Sequence, residues 1–395
     1  MTLIVSSASE LRNAEGTSVV TVNDCDVKSC AGAAWSTIAP PNTNPWYGIC
    51  WSPELRLFVA VGSTGTNNRV MTSPDGVTWT QRTSAADNTW NAVCWSPELR
   101  VFVAVAGSGT GNRVMTSSNG TSWTTQTSAA NYAWVSVCWS QELMLFVAVS
   151  SSAVANGIMT SPDGRNWTLQ TAAANRPWQS VCWSPELRLF VAVAGAGSLN
   201  NLMYSSNGTA WSLGSTSFDR NWTAVCWSPE LRLFCAVSQT GASARCITSP
   251  DGTTWTAQTI PLAYWYAICW SPELRLFVAV AASGSGDSGG VDRMATSPDG
   301  VFWTQRSAAL GYFWYSVCWS PELRMFAMVA GGGTGGGEQW IGTSKIGAEL
   351  RVSAVANGAS ALTFTANAGP TGANTVPASW LRINVNGTDR FVPTW

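Results

Sequence analysis

Carboxylates, arginines and cysteines are the side chains here that could do chemistry, and many of them recur at fixed intervals. Aspartate stands two residues after a serine and just before a glycine at Asp75, Asp163, Asp251 and Asp299. Glutamate precedes arginine by two at Glu54/Arg56, Glu98/Arg100, Glu186/Arg188, Glu230/Arg232, Glu273/Arg275 and Glu322/Arg324, while Glu142 is followed by Met144. Two carboxylates could act as acid and base, and an arginine cluster could hold an anion. Either chemistry needs unlike residues converging on one point. The chain has no histidine, so the commonest general base and metal ligand is missing. Its cysteines are not clustered at zinc-ligand spacing, and no cofactor is expected.

These recurrences belong to one repeat. CWSPELRLFVAV at residues 50–61 returns with small changes from Cys94, Cys138, Cys182, Cys226, Cys269 and Cys318, at intervals of 44, 44, 44, 44, 43 and 49 residues. A period in the forties with strand-like content is the mark of a β-propeller with one blade per repeat. The chain is therefore expected to be all-β, with a seven-bladed propeller. In the first copy WYGICWS reads as strand a, PEL as a tight turn and RLFVAV as strand b. GSTGTNN is a loop, RVMTS strand c, SPDG a turn and VTWTQ strand d. Repeated residues spread round the ring and do not meet at one substrate. The Glu–Arg pair reads as a surface turn contact, and Met144 shows that the arginine is dispensable. The aspartate reads as an acceptor for turn N–H groups. Asn119 and Asn207 replace it in two copies, keeping the oxygen and losing the charge that catalysis or metal binding would need.

The ring closes between the two ends of the repeat region. WIGTS at residues 340–344 aligns with strand c, but no tryptophan-bearing strand d follows it. Ser29, Gly32 and Trp35 keep the spacing of Ser73, Gly76 and Trp79. The strand near Trp35 should complete the last blade, three strands from one end and one from the other, leaving no open edge. The expected organisation is an N-terminal arm at 1–28, the propeller at 29–347 and a small C-terminal β module at 348–395. SVVTVNDCDV in the arm reads as one strand, and Asn386–Gly387 as a hairpin turn in the module.

Twenty-four tryptophans are the conspicuous excess. Trp51 and its equivalents fall mid-strand and read as core, and Trp79 and its equivalents close the c–d turn. Trp46, Trp90, Trp134, Trp178, Trp222, Trp265 and Trp314 begin strand a. They could ring the channel mouth and stack on sugars, or pack between blades, and packing is the favoured reading. The a–b and c–d turns share one face, nearly constant in sequence. The b–c and d–a loops share the other, which varies, and scaffolds carry function on variable loops. Tyr132, Arg176, Asp219, Arg220, Tyr264 and Tyr312 are the contact candidates there.

Lys+Arg is 21 and Asp+Glu 22, so no charged field points to nucleic acid or to a cationic partner. MTLIVSSASELRN lacks a signal peptide's basic start, and no apolar run is long enough to span a membrane. The seven repeat cysteines read as small, reduced, buried hydrophobes too far apart for disulfides. Cys235 and Cys246 each replace a repeat valine on neighbouring strands. A bond there is allowed, and two independent replacements are the favoured account. Cys25 and Cys30 lie outside the repeat, their state undecided.

SPDGVTW resembles the Asp-box, or BNR repeat, of sialidase-type propellers, shortened by one residue between Asp75 and Gly76. A sialidase would further need an arginine cluster, an acid and a tyrosine–glutamate pair at unique positions, which the repeats do not supply. WSPELRLFVAV resembles propeller repeats of phage and large DNA virus proteins, and WLRINVNGTDRFVPTW at residues 380–395 is similar to endings of tailed-phage virion proteins. The resemblance implies a non-enzymatic structural protein of a bacteriophage virion, made in the host cytoplasm and projecting from the capsid or a tail appendage. It would be oligomeric in the particle, with the arm and C-terminal module holding other virion proteins. The alternative is a lectin-like module recognising a host surface glycan, and an Asp-box glycoside hydrolase comes last.

Overall fold

The computed structural model describes residues 9–12, 18–22, 32, 35–195, 201–214, 220–241, 244–283, 293–306, 312–333, 340–345, 379–385 and 388–394. The chain divides into two compact units. One is Cys25–Ala348, and the other joins Met1–Asp24 with Glu349–Trp395. The larger unit is a seven-bladed propeller of four-stranded antiparallel sheets, with no helix among the described residues. Accordingly, among those residues no helix is long and apolar enough to cross a membrane.

Blades 1 to 5 span residues 46–82, 90–126, 134–170, 178–214 and 222–258, and blade 6 spans 264–306. Blade 1 shows the order: strand a is Trp46–Ser52, b Leu57–Gly62, c Val70–Ser73 and d Thr80–Arg82. Strand a is the inner edge of every sheet, and successive a strands touch all the way round. Strand b lies inside the sheet with both faces covered by neighbouring blades. That is why its Phe-Val-Ala-Val run is buried without alternation. The fully buried phenylalanines, Phe58 and Phe102 among them, are each worth about 1.5–3 kcal/mol of burial.

Blade 7 takes Tyr312–Ser320, Met325–Gly333 and Ile341–Lys345 from the end of the repeat region, and Ser36–Ile38 as its outer strand. Ser36 pairs with Thr343 and Ile38 with Ile341. The c–d turn is therefore split between distant parts of the chain. In blade 1 Gly76 N donates to Ser73 Oγ at 2.8 Å, and Trp79 Nε1 to Gly76 O at 2.9 Å. In blade 7 Gly32 N donates to Ser344 Oγ at 3.2 Å, and Trp35 Nε1 to Gly32 O at 2.6 Å. The serine comes from strand c, so Ser344 takes the place that sequence alignment gave to Ser29. Gly32 has φ +74°, as Gly76 does, the left-handed conformation that favours glycine. Ser29, Cys25 and Cys30 lie outside the described residues.

The smaller unit contains two antiparallel hairpins. Ser9–Arg12 pairs with Ser18–Val22, so the arm carries two strands where one was expected. Ser379–Val385 pairs with Thr388–Thr394, Val385 opposite Thr388, while Asn386 and Gly387 lie outside the described residues.

Cysteine packing follows the strands. Cys50, Cys94, Cys138, Cys182, Cys226, Cys269 and Cys318 are free and half-buried, one on each inner strand. Burial, and in most of them a neighbouring thiol, pushes their titration up, so they stay protonated. Cys235 and Cys246 are free and fully buried, with sulfurs 3.5 Å apart. Two thiols in contact fill the space of two valines.

Candidate binding site at the channel mouth

The constant face carries a ring of identical contacts between blades. Trp95 Nε1 donates to Glu54 Oε2 of the preceding blade, and the pairs Trp139–Glu98, Trp183–Glu142, Trp227–Glu186, Trp270–Glu230, Trp319–Glu273 and Trp51–Glu322 repeat it, all at 2.5–2.6 Å. This corrects the Glu–Arg reading: the carboxylate's partner is an indole one repeat away. In six copies the residue two after the glutamate closes the a–b turn instead, as Arg56 N does by donating to Pro53 O at 3.2 Å. It sits at φ near +50° in all seven copies, Met144 included, so the turn needs the left-handed backbone rather than the charge.

The c–d turns of blades 1 to 6 behave as the asparagine copies implied. Asp75 Oδ1 accepts from Val77 N at 2.8 Å and Thr78 N at 2.6 Å, and Asn119 Oδ1 from Thr121 N and Ser122 N, both at 2.9 Å. Burial pulls the Asp163 and Asp251 carboxyls up. The turn N–H groups and serine hydroxyls outweigh it and bring both to about 2.

The seven tryptophans that begin strand a are all fully buried, at 0% exposure. Their indoles fill the core between blades. Four of them, Trp90, Trp134, Trp178 and Trp265, donate to the carbonyl four residues back, on their own d–a loops. A buried ring offers no face to a sugar, so this geometry corrects the channel-ring reading of Trp46, Trp90, Trp134, Trp178, Trp222, Trp265 and Trp314 and favours packing.

The residue after each of these tryptophans is the one at the mouth. In blade 1 Trp46 pairs with Gly62 and Gly48 with Val61, leaving Tyr47 as the extra residue of a β-bulge. The same register shift leaves Asn91, Val135, Gln179, Thr223, Tyr266 and Tyr315 unpaired in blades 2 to 7. Bulges re-aim side chains and are enriched beside functional sites. In blades 2 and 5 the bulged residue ties neighbouring inner strands: Asn91 Nδ2 donates to Trp134 O at 2.8 Å, and Thr223 Oγ1 to Trp265 O at 2.7 Å. In blades 6, 7 and 1 it is tyrosine, and the rings contact one another. Tyr315 lies 4.8 Å from Tyr266 on one side and 4.8 Å from Tyr47 on the other. A β-carbon at Gly331 would fall 2.4 Å from the Tyr315 ring, so glycine there makes room for it.

Blades 6 and 7 are also longer at this face. Their a strands have 8 and 9 residues and their b strands 8 and 9, against 7 and 6 in blade 1. A second register shift in each places Ala282 and Phe313 beside the tyrosines. The result is a cavity of about 300 Å³ lined by Gln239, Tyr264, Tyr266, Ala282, Phe313 and Tyr315. Gln239 is held by Asn221 Nδ2, which donates to its Oε1 at 3.0 Å, and it forms a side-chain hydrogen bond with Tyr266. Burial raises the Tyr266 phenol despite that bond, and burial with the two adjacent tyrosines pushes Tyr315 up to about 12. At neutral pH the lining is therefore uncharged, with aromatic faces and a few donors and acceptors.

The loop candidates from the sequence scatter. Tyr264, 37% exposed, lines the cavity, with the Arg245 guanidinium 5.5 Å from its ring centre. Tyr312 is half-buried and stacks on Trp340 at 5.7 Å. Tyr132 packs against Trp134 at 5.9 Å on the far side of the ring, where Arg113 clamps its carbonyl at 2.9 Å. Arg176 and Arg220 are half-buried in their loops, Arg220 accepting at its carbonyl from Asn201 at 3.1 Å. Asp219 lies outside the described residues. Tyr47, Tyr266, Tyr315, Phe313 and Gln239 were not among the candidates. For the three tyrosines the signal was the most variable position, Tyr, Asn, Val, Gln, Thr, Tyr, Tyr, of a strand whose other positions are constant or change only among small or branched apolar residues and serine.

No family model matches this chain, and no curated protein does. Solved structures do. The virginiamycin B lyase of Staphylococcus aureus superposes with a TM-score of 0.64 at 8% identity, over 79% of this chain and 99% of that one. YCF48 from Cyanidioschyzon merolae gives 0.56 at 16%, over 78% and 98%. The Niastella koreensis GH74 enzyme gives 0.61 at 13%, over 80% of this chain and 54% of its own. At such identities the likeness is one of fold.

Proposed function

We propose that this chain is a non-enzymatic structural protein of a bacteriophage particle, on the capsid surface or a tail appendage, whose propeller presents a binding face to its surroundings. The observation that carries the binding reading is the uncharged lining of the mouth cavity. Tyr264, Tyr266, Tyr315, Phe313, Ala282 and Gln239 offer stacking and hydrogen bonds, but no pair of groups that could pass a proton near neutral pH. Acid–base hydrolysis needs such a pair, so binding fits this cavity better than turnover. The virion setting is supported by the resemblance of WSPELRLFVAV and of the last sixteen residues to phage proteins. In this reading the arm and the C-terminal module contact other virion proteins, the chain is oligomeric in the particle, and the c–d turns are shortened Asp-boxes with a purely structural task.

Immunogold labelling of purified particles with antibody to the propeller tests the setting. Gold on heads or tail appendages is expected, and clean particles beside abundant free protein would contradict it. A lectin-like module is the second reading, and the three contacting tyrosines favour it. The two are compatible, because a projecting propeller can also recognise a surface.

A further inference from the structure

Resting on the binding reading above, we propose that the cavity between blades 5, 6 and 7 is a saccharide site that takes one uncharged pyranose ring, with Tyr315 as its stacking platform. Four observations converge on it. The position is unique in the ring, because tyrosine follows the buried tryptophan in the adjoining blades 6, 7 and 1 and in no other blade. The volume, about 300 Å³, lies at the small end of ligand pockets, which run from about 300 to 1,000 Å³, and suits one ring rather than a long segment. The lining mixes aromatic faces with the Gln239 amide and the phenolic hydroxyls of Tyr264, Tyr266 and Tyr315, groups that donate and accept as a sugar's hydroxyls require. The site is also preorganised: Asn221 pins Gln239 at 3.0 Å, and Tyr315 lies between Tyr47 and Tyr266.

Geometry and charge choose among ligands that aromatic rings can hold. A flat base gripped on both faces needs two parallel rings, whereas Tyr266, which shares the cavity with Tyr315, is inclined to it by 80°. Inclined rings form a curved wall, which suits the C–H face of a puckered ring. A quaternary ammonium would meet two charges already in place. Arg245 and Arg293 stand 5.5 and 5.1 Å from the ring centres of Tyr264 and Phe313. Both guanidinium residues are buried, at 6% and 2% exposure, so they repel a cation without presenting themselves to an anion. A neutral sugar is the ligand that remains.

The test uses the full-length protein and an array of neutral hexose and N-acetylhexosamine oligosaccharides, followed by titration calorimetry with the best binder. Selective binding of a neutral glycan is expected. Tyr315→Ala should weaken it about tenfold or more, and Tyr47→Ala, which removes only the support behind Tyr315, by less. Tyr315→Phe keeps the ring and should retain most of the affinity, which separates loss of the site from loss of the fold. Tyr132→Ala, across the ring, should bind as the parent does. Three results would overturn the proposal: no glycan bound at millimolar concentration, equal binding by Tyr315→Ala and the parent, or choline competing for the site. None of these would move the protein off the particle, so labelling and array fail independently.

Discussion

The two faces of the propeller use the same strands for opposite ends. On the constant face, the penultimate residue of each inner strand is a tryptophan that reaches back to a glutamate of the preceding blade, seven times with one geometry. On the other face, each inner strand carries near its start a bulge whose residue varies round the ring and is tyrosine in three adjoining blades. Repetition builds a ring, and a ring of equal contacts has no preferred point. A site needs asymmetry, and the bulge is where the repeat allows it. The neighbouring strands stay paired there, so substitution changes the mouth without disturbing the blade.

The largest effect should come from breaking the ring at its seam. Deleting residues 1–38 removes the outer strand of blade 7 and exposes the edge of Ile341–Lys345. Aggregation, or a melting temperature lower by on the order of 10 °C, is expected. A monodisperse truncated protein with unchanged melting would contradict the closure.

Next come the clasps. Glu98→Ala leaves the Trp139 N–H without its acceptor, and a hydrogen bond to a charged group is worth about 1.5–3 kcal/mol. This pair is exposed, so a value near the lower end is expected in urea melts. Glu54→Ala and Glu186→Ala should cost similar amounts if the clasps are equivalent. A cost confined to one blade would show that the constant face is not uniform.

The c–d turns should give smaller changes. Asp75→Ala removes the acceptor for Val77 and Thr78 and should cost about 1 kcal/mol, whereas Asp75→Asn keeps it and should cost little. Equal damage from both would mean that charge matters. Acid melts check the same turns. Asp163 and Asp251 titrate near 2 in the folded chain, below the ordinary carboxyl value. The unfolded state therefore takes up protons first, and their contribution is present above about pH 4 and lost as pH falls towards 2. Tyr315, raised to about 12, works in the other direction. Its contribution is present below about pH 10 and lost as pH rises through 12, so alkaline melts should show a loss in that window that Tyr315→Phe abolishes.

The smallest effect belongs to the a–b turns. Arg100→Gly relieves a left-handed backbone at φ +51° but frees the unfolded chain, and the two should nearly cancel. A loss above about 1 kcal/mol would give the arginine a role the turn does not explain.

Much of the scaffold was legible in the sequence for the reason that makes it a scaffold. The period gave blade number, strand order and the exchange of strands at the seam, because seven aligned copies average out local ambiguity. Asn119 and Asn207 revealed the task of the aspartates by keeping one oxygen. Contacts between repeats were not legible. Glu54 sits beside Arg56 in sequence, and nothing local marks Trp95 as its partner. The mouth was missed for a similar reason. Strand periodicity assigns Tyr47 to a pleat position, and only the register shows that it is bulged out of the ladder. The buried tryptophan beside it drew attention because it repeats, and repetition here marks structure.

One paired measurement bears most directly on the division between scaffold and site. Glu98→Ala and Tyr315→Ala are compared with the parent for urea stability and for affinity to the best neutral glycan from the array. The expected result is a crossed pattern: Glu98→Ala loses stability and keeps its affinity, while Tyr315→Ala loses affinity about tenfold and remains folded. The account would be contradicted if Tyr315→Ala bound as the parent does, or if Glu98→Ala lost affinity while its stability held.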